Sequence, residues 1–354
     1  MKKLVIAVLA IGAMAACTKS NIQYEQPEEI SFQPVAKKAT KAVYGAIDGT
    51  AYPVGESFNV WAWWDESEPS NNPTYGNYGD LYINAGEFVA KDNYNWGGET
   101  AYYWPTSGSL VFAGYSPAEA SDNGTFYYAL DTQTFLVTGY TQSANIAETI
   151  DLMWFDAGES YLEKTIDVEA PKQGVPVVFK HALSWLEFRF NLAALAPQNW
   201  KIRKVYLQGI ETKADFTSKD AKLKPSWTYH TAAVDELVIN SVEKELTVHS
   251  PSFDYLSDVA KKGVVVIPQS CAPANAELVI EYGLLTPASA DTGSEVYIPQ
   301  TVTLPLTYDN TTPEENAWEP GYHYIYTITF GANEILISPL VTEWDVENED
   351  INVE

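Results

Sequence analysis

The chain has 354 residues, of which 47 are acidic and 21 basic, and its formal net charge at pH 7 is −26. A surface this acidic repels nucleic acid and anionic lipid, so neither is expected as a partner. Only two cysteines are present, so stability must come from burial of apolar surface, for which the chain is long enough.

The N-terminus has the features of an export signal. Lys2 and Lys3 precede an apolar stretch at 4–16 that is too short to span a bilayer and ends in small residues. The residue that follows, Cys17, resembles the lipid-modified cysteine of a bacterial lipobox, which would carry diacylglycerol and palmitate. Residues 1–16 are therefore predicted to be a lipoprotein signal peptide. Cys271 then remains without a partner for an intramolecular disulfide.

Residues 17–41 are predicted to be a tether that contains one short strand. The tether is polar and holds Pro27 and Pro34, with the strand-like piece at 30–32 inside it. Lys37, Lys38 and Lys41 form a basic cluster directly downstream. A solvated linker is one interpretation of this cluster, and a site of proteolytic maturation is the other.

Beyond the tether, the pattern is typical of β-strands. In 186–192 every second residue is apolar, and Tyr322, Tyr324, Tyr326, Ile328 and Phe330 would share one strand face. Residues 264–267 form a continuous apolar run ended by Pro268. Helical periodicity is scarce, with one short helix conceivable at 143–152. These patterns predict an all-β chain built from antiparallel sandwiches.

A polar link at 169–174, which contains proline and glycine, suggests a domain boundary. The predicted division is an N-terminal β-sandwich at 42–174 and a C-terminal β-sandwich at 175–354. Both halves have plausible sandwich sizes.

No catalytic motif is recognisable. The four histidines, at 181, 230, 249 and 323, lack metal-ligand spacing, and His181 and His323 lie in strand patterns that favour a hydrogen-bonded structural role. No enzyme activity, metal or diffusible cofactor is therefore predicted. Trp61 and Trp63 could stack on a glycan, but core packing is the favoured explanation for most of the aromatic residues.

Several fragments, in this order, resemble the fimbrillin family, the pilin-like lipoproteins of Bacteroidetes. They run from the lipoprotein start to the C-terminus and are found at 30–32, 40–42, 102–105, 110–117, 151–153, 177–184, 267–269, 318–326 and 341–344. The resemblance implies two transthyretin-like β-sandwich domains and a fimbrial subunit at the surface of the outer membrane. It also implies that other pilin subunits are partners and that a host or bacterial receptor could be bound.

The resemblance further implies assembly by β-strand exchange. A protease would remove an N-terminal strand, here with Ile30, Phe32 and Val35 as its apolar points, by a cut at Lys37, Lys38 or Lys41. A strand from a neighbour would then fill the groove, and the C-terminal segment with Ile335, Ile337, Leu340 and Val341 could be that donor.

One departure from the family leaves an alternative open. The tether has no arginine for an arginine-specific protease, so a cut would need lysine specificity. Without a cut the protein would be an anchor, a tip subunit or a surface lipoprotein that does not polymerise and binds glycan or host protein.

Overall fold

The structure is a computed structural model, and it describes the chain in segments. These are 28–39, 49–65, 79–91, 95–156, 174–194, 200–230, 233–234, 236–257, 260, 263–272, 275–286, 296–309, 311–312, 315–332 and 334–344. Cys17 and Lys41 lie outside them. Within these segments, no helix has the length and apolar character required to cross a membrane.

The described chain is all-β, as the sequence predicts. Its first ten strands are β1 (Ser31–Ala39), β2 (Gly49–Ala51), β3 (Phe58–Asp65), β4 (Asp80–Ala90), β5 (Trp96–Gly98), β6 (Ser109–Ser116), β7 (Thr125–Ala129), β8 (Thr134–Thr141), β9 (Met153–Phe155) and β10 (Val175–His181). The next seven are β11 (Ser184–Leu192), β12 (Trp200–Gln208), β13 (Ile210–Glu211), β14 (Lys213–Thr217), β15 (Ser226–Tyr229), β16 (Ala233–Val234) and β17 (Leu237–Asn240). The last six are β18 (Lys244–Glu245), β19 (Val264–Val266), β20 (Glu277–Thr286), β21 (Val296–Pro305), β22 (Tyr322–Phe330) and β23 (Ile335–Glu343). Two short 3₁₀ helices cover Ala118–Asn123 and Ile146–Glu148, so the helix conceivable at 143–152 is a single turn.

The N-terminal sheet closes on itself. Its strand order is β10–β9–β6–β3–β4–β5–β1, and β1 pairs in turn with β10, while β2 pairs with β1 beyond the end of β5. The side chains that point into this closed sheet form the N-terminal core. Its members include Ile30, Phe32, Phe58, Val60, Phe88, Phe112, Phe155, Val177 and Phe179.

The C-terminal strands form a sandwich of two sheets, with strand orders β19–β11–β22–β23 and β17–β12–β20–β21. The alternating residues of 186–192 and 322–330 share its C-terminal core with Ile202, Val205, Leu278 and Ile280 from the opposite sheet. The faces predicted from alternation thus lie in the core. The polar face of β11 is covered as well, since Glu187 and Asn191 are also buried.

A further sheet, β15–β14–β8–β7, covers the outer face of β3 and β6 and produces a central core. This core contains Trp61, Trp63, Val111, Phe135, Tyr140, Phe216 and Trp227, together with Trp185 and Trp344. Because β3 and β6 are covered on both faces, they contain continuous apolar runs, at 60–64 and 110–113, without alternation.

Two strand pairs depart from the predicted antiparallel arrangement. β1 pairs in parallel with β10, and β11 pairs in parallel with β22. Both pairs join strands that are far apart in the sequence, so the intervening chain is long enough to return in the same direction.

The strand that follows the predicted domain boundary belongs to the N-terminal sheet by its pairing, because β10 contacts β1 and β9. β14 also pairs with β8 across that boundary. A division after residue 174 stays a prediction.

Candidate functional site

The candidate site is the position of β1 in the N-terminal sheet. We call the space between β10 on one side and β5 with β2 on the other the β1 groove. β1 fills it with Phe32 opposite Val175 on β10 and opposite Trp96 on β5. Just before the strand, the Ile30 amide donates to the Tyr102 carbonyl oxygen at an N···O distance of 2.7 Å. The N-terminal strand is therefore a central strand of the sheet and not an appendage.

Phe32 is the centre of an aromatic cluster in the N-terminal core. Its ring makes edge-to-face contacts with Phe88, Phe112 and Phe58, at centroid distances of 4.7, 5.2 and 5.8 Å. Ile30 and Phe32 are both 0% exposed. Full burial of such side chains is worth about 1.5–3 kcal/mol each, and edge-to-face contacts add about 0.5–1.5 kcal/mol per pair. Removal of β1 would therefore leave an apolar cavity lined by these rings.

The third buried position of β1 differs from the sequence prediction. Alternation continues from Ile30 and Phe32 to Pro34, which is buried, whereas the predicted third apolar point is Val35. The side chain of Val35 lies outside the described residues. A shift in strand register follows between Val35 and Ala39. Proline is uncommon on a buried strand because it has no N–H to donate to the ladder.

Gly174, which immediately precedes β10, lies against the backbone of β1. Its φ is +88°, and a Cβ atom built on it would approach the backbone carbon atoms of Ser31 and Phe32 to 3.0 Å. Both facts favour glycine at this position. The backbone just before β10 therefore lies close against β1, where glycine leaves room for the strand.

The predicted cleavage residues lie at the end of β1. The backbones of Lys37 and Lys38 belong to the strand, which ends at Ala39. Their side chains, and all of Lys41, lie outside the described residues. A cut on the C-terminal side of Lys41 would free the whole strand, whereas a cut at Lys37 or Lys38 would leave part of it attached.

The predicted donor segment forms β23 in the C-terminal sandwich of its own chain. β23 is an edge strand that pairs with β22 from Ile335 to Glu343. Ile335, Ile337 and Val341 pack against the C-terminal core. Leu340, however, is 54% exposed, and Pro339 takes the half-buried position between Ile337 and Val341. The role of these residues as a donor stays a prediction.

A buried row of rings joins β10 to the end of β23. His181, the last residue of β10, stacks on Trp344 with a centroid distance of 3.8 Å, and its Nδ1 lies 2.9 Å from an Asp151 carboxylate oxygen. Trp344 contacts Trp185, which stacks on His323 at 3.6 Å. Both histidines thus have the structural, hydrogen-bonded surroundings that their strand patterns favour.

Glu187 extends this row into a buried polar cluster. Its carboxylate lies 3.1 Å from Nε2 of His323 and accepts a 2.7 Å hydrogen bond from Nε of Arg189, and it also accepts one from the Tyr255 hydroxyl. Burial by itself would raise the pKa of Glu187, but the hydrogen bonds from His323, Tyr255 and Arg189 outweigh it and lower the pKa to about 2. Glu187 is therefore a stable anion that ties β11 to β22.

Trp61 and Trp63 do not present faces for a glycan. They are 6% and 8% exposed and lie in the central core, where Trp61 contacts Tyr115 and Trp63 contacts Tyr128. This burial argues against their interpretation as glycan contacts, because an aromatic ring binds sugar through an open face. Core packing, the other interpretation, describes what they do.

Among the described residues, no group of three or more His, Cys, Asp or Glu side chains could hold a metal ion. Cys271 is buried, and burial raises the pKa of its thiol to about 12, so it is an inert core residue.

Comparison with known proteins places this arrangement in context. A family model described as fimbrillin-like matches residues 40–344, a range that begins directly after β1. A fimbrial protein from Bacteroides vulgatus has a similar structure, with a TM-score of 0.57 at 14% identity, over 89% of this chain and 99% of that one.

Two further structures are candidate cell adhesion proteins, and both have a TM-score of 0.48. The one from Bacteroides uniformis is 15% identical over 89% of this chain and 99% of its own. The one from Bacteroides ovatus is 16% identical over 91% of this chain and 100% of its own. No curated protein matches the chain.

Proposed function

This chain belongs to the fimbrillin-like family, and we propose that this fimbrial subunit polymerises by exchange of β1 for a strand from a neighbouring copy. Membership of the family makes it a component of a cell-surface appendage that associates with other pilin subunits. The family is structural, and it gives no indication of catalysis.

The observation that carries the proposal is the place of Phe32. A strand near the N-terminus supplies the central ring of the N-terminal core and pairs with neighbours on both sides. Such a strand cannot leave without a replacement, because its removal exposes both an apolar cavity and two rows of unpaired backbone groups. A strand from another copy would restore both sets of interactions, which is β-strand addition.

Maturation would convert a self-complemented subunit into an acceptor. Lipid on Cys17 would bring the precursor to the outer membrane, and a lysine-directed cut would then release the tether together with β1. Lys41 is the best-placed of the three lysines, because it follows the last residue of the strand. A cut there leaves no remnant in the β1 groove.

Limited trypsin digestion tests the maturation step. The chain without its lipid signal would be digested while folded, and the new N-terminus would be determined by sequencing. We expect cleavage after Lys41, followed by bands of multiple size on SDS-PAGE without boiling. K41Q should abolish both results, whereas the matched variants K37Q and K38Q should retain both.

Two results would count against the proposal. A clean loss of residues up to 41 with a product that stays monomeric would contradict strand exchange. Multimers that form equally well without any cut would show that β1 does not control assembly. In the first case the protein would act as a surface lipoprotein that does not polymerise.

A further inference from the structure

β1 and β23 carry the same pattern on their inward faces. Among the described side chains of β1, the buried ones are Ile30, just before the strand, then Phe32 and Pro34. In β23 the half-buried side chains begin with Ile335, Ile337 and Pro339. Each strand thus presents an apolar residue, a second apolar residue two positions on, and a proline two positions further.

The proline is the informative member of this pattern. Proline has no N–H to donate, so it is excluded from the middle of a sheet unless the ladder is interrupted beside it. β1 lies between two neighbours. Its ladder with β10 continues through Pro34, opposite Val177, but the ladder on its other side is interrupted at this point. β5 ends its pairing at Phe32, and β2 begins its pairing at Val35, so Pro34 falls in the gap between them.

Pro339 is also tolerated in its present position, but there the reason is that it lies on an edge strand. β23 is the edge strand of its sheet, with β22 on one side only, and Pro339 lies opposite Tyr326. An edge strand tolerates proline because the side away from its neighbour needs no donor. Once inserted between two neighbours, β23 would lose that freedom everywhere except at a gap.

We propose that Pro339 fixes the register of strand exchange, so that it takes the place of Pro34 in the groove of the next copy. This inference rests on the proposed function and on the C-terminal donor that the family resemblance implies, and it adds the alignment of that donor in the β1 groove. Ile335 then occupies the site of Ile30, and Ile337 occupies the site of Phe32 among the three phenylalanine rings. The donor runs in the direction of β1, parallel to β10.

A shift by two residues preserves the inward face but moves the proline out of the gap. Shifted one way, Pro339 would lie at the position of Phe32, which pairs with both β5 and β10. Shifted the other way, it would lie at the position of Ala36, which is past the gap and within the stretch from Val35 to Ala39 that pairs with β2. A shift by one residue would turn the apolar face outward.

Disulfide trapping between two differently labelled copies can read the register. Val35 lies opposite Val178 in the β1–β10 ladder, and Val178 lies between the buried Val177 and Phe179. In the proposed register Leu340 takes the position of Val35. Residues directly opposite each other in a ladder are close enough for a disulfide.

The acceptor copy would carry V178C and lack β1 after the cut. The donor copy would keep β1 and carry L340C, or one of the matched variants S338C and T342C, whose positions report a shift by two residues either way. All three donor positions are exposed. The donor copy would begin at residue 28, without Cys17, and because Cys271 is buried, it should not compete. Each pair would be mixed, oxidised and analysed on non-reducing SDS-PAGE.

We expect a crosslinked dimer with L340C, and at least tenfold less with S338C or T342C. Preferential crosslinking through S338C or T342C would overturn the register while strand exchange itself stands. Complexes that form but crosslink through none of the three would show that β23 is not the donor in this orientation. If no complex forms with any donor, the proposed function fails and the register fails with it.

Discussion

His181 and Trp344 stack almost in parallel, with ring centroids 3.8 Å apart and ring planes 12° apart. His181 ends β10, the strand that pairs with β1, whereas Trp344 follows the last residue of β23. The wall of the β1 groove is therefore in direct contact with the end of the segment that we propose as the donor.

Replacement of Trp344 tests how strongly this contact holds the end of β23. Trp344 is buried, so W344A should lower the free energy of unfolding by about 3–5 kcal/mol and should speed amide exchange in β23. The matched control is L336A, in the same strand but half exposed, which should have a small effect. Urea unfolding and hydrogen exchange are the measurements. Equal stability of W344A and L336A would show that the stack does not hold β23.

Phe32 should determine how tightly a severed β1 stays in the groove. In F32A the three edge-to-face contacts are lost, and the cavity costs about 3–5 kcal/mol, which corresponds to more than a hundredfold weaker retention of the strand. The release rate of the labelled peptide after the trypsin cut measures this retention. Q33A, at a half-buried position of the same strand, serves as the control. If the peptide with F32A were released at the same rate as the peptide with Q33A, Phe32 would not be the main residue that retains the strand.

Glu187 should make stability depend on pH in the acid range. Its folded-state pKa is about 2, below the ordinary value of 4.5, so the unfolded chain binds the proton more readily between these values. The stabilisation is therefore complete above about pH 4.5 and is lost as the pH falls towards 2.

The difference in unfolding free energy between the natural chain and E187Q should show this trend. It should shrink as the pH decreases from 4.5 towards 2, and the exposed Glu343, replaced in E343Q, provides the matched control. Urea unfolding at a series of pH values gives the difference directly. A difference that is constant over this range would show that the Glu187 cluster does not titrate as described.

Trp61 should behave as a core residue. It packs against Tyr115 and Phe135, so W61A should lower the unfolding free energy by about 3–5 kcal/mol. W61F should recover part of this loss because it restores an aromatic ring to the central core. Thermal unfolding of the two variants is the measurement. A W61A variant as stable as the natural chain would require the ring to be dispensable for packing.

The sequence was sufficient to predict which strand faces are apolar. The alternation in 186–192 and 322–330 corresponds to the C-terminal core, because period two is a direct consequence of strand geometry. It was not sufficient to predict that β11 and β22 are parallel neighbours. Alternation reports which face of a strand is apolar, and it carries no information about which strand lies beside it.

Among the site residues, too, some could be predicted from the sequence and others could not. Ile30 and Phe32 were recognisable from the pattern, whereas Pro34 and Pro339 were missed at equivalent positions in favour of the residues that follow them. Proline interrupts a ladder, so its presence on a buried strand face can be understood only when the gap between β5 and β2 is known. The burial of Trp61 and Trp63 in the central core could not be predicted either, because β14 and β15, which help to cover them, are distant in the sequence.

The most direct test of the account compares two forms of the chain that differ only in β1. One begins at residue 28 and contains the strand, and the other begins at residue 42 and lacks it. Both would be examined for multimers by size-exclusion chromatography and by SDS-PAGE without boiling. Strand exchange predicts that the longer form is a monomer and that the shorter form assembles into multimers. A synthetic peptide of residues 28–39 should suppress these multimers. A shorter form that is folded and monomeric at high concentration would contradict the account.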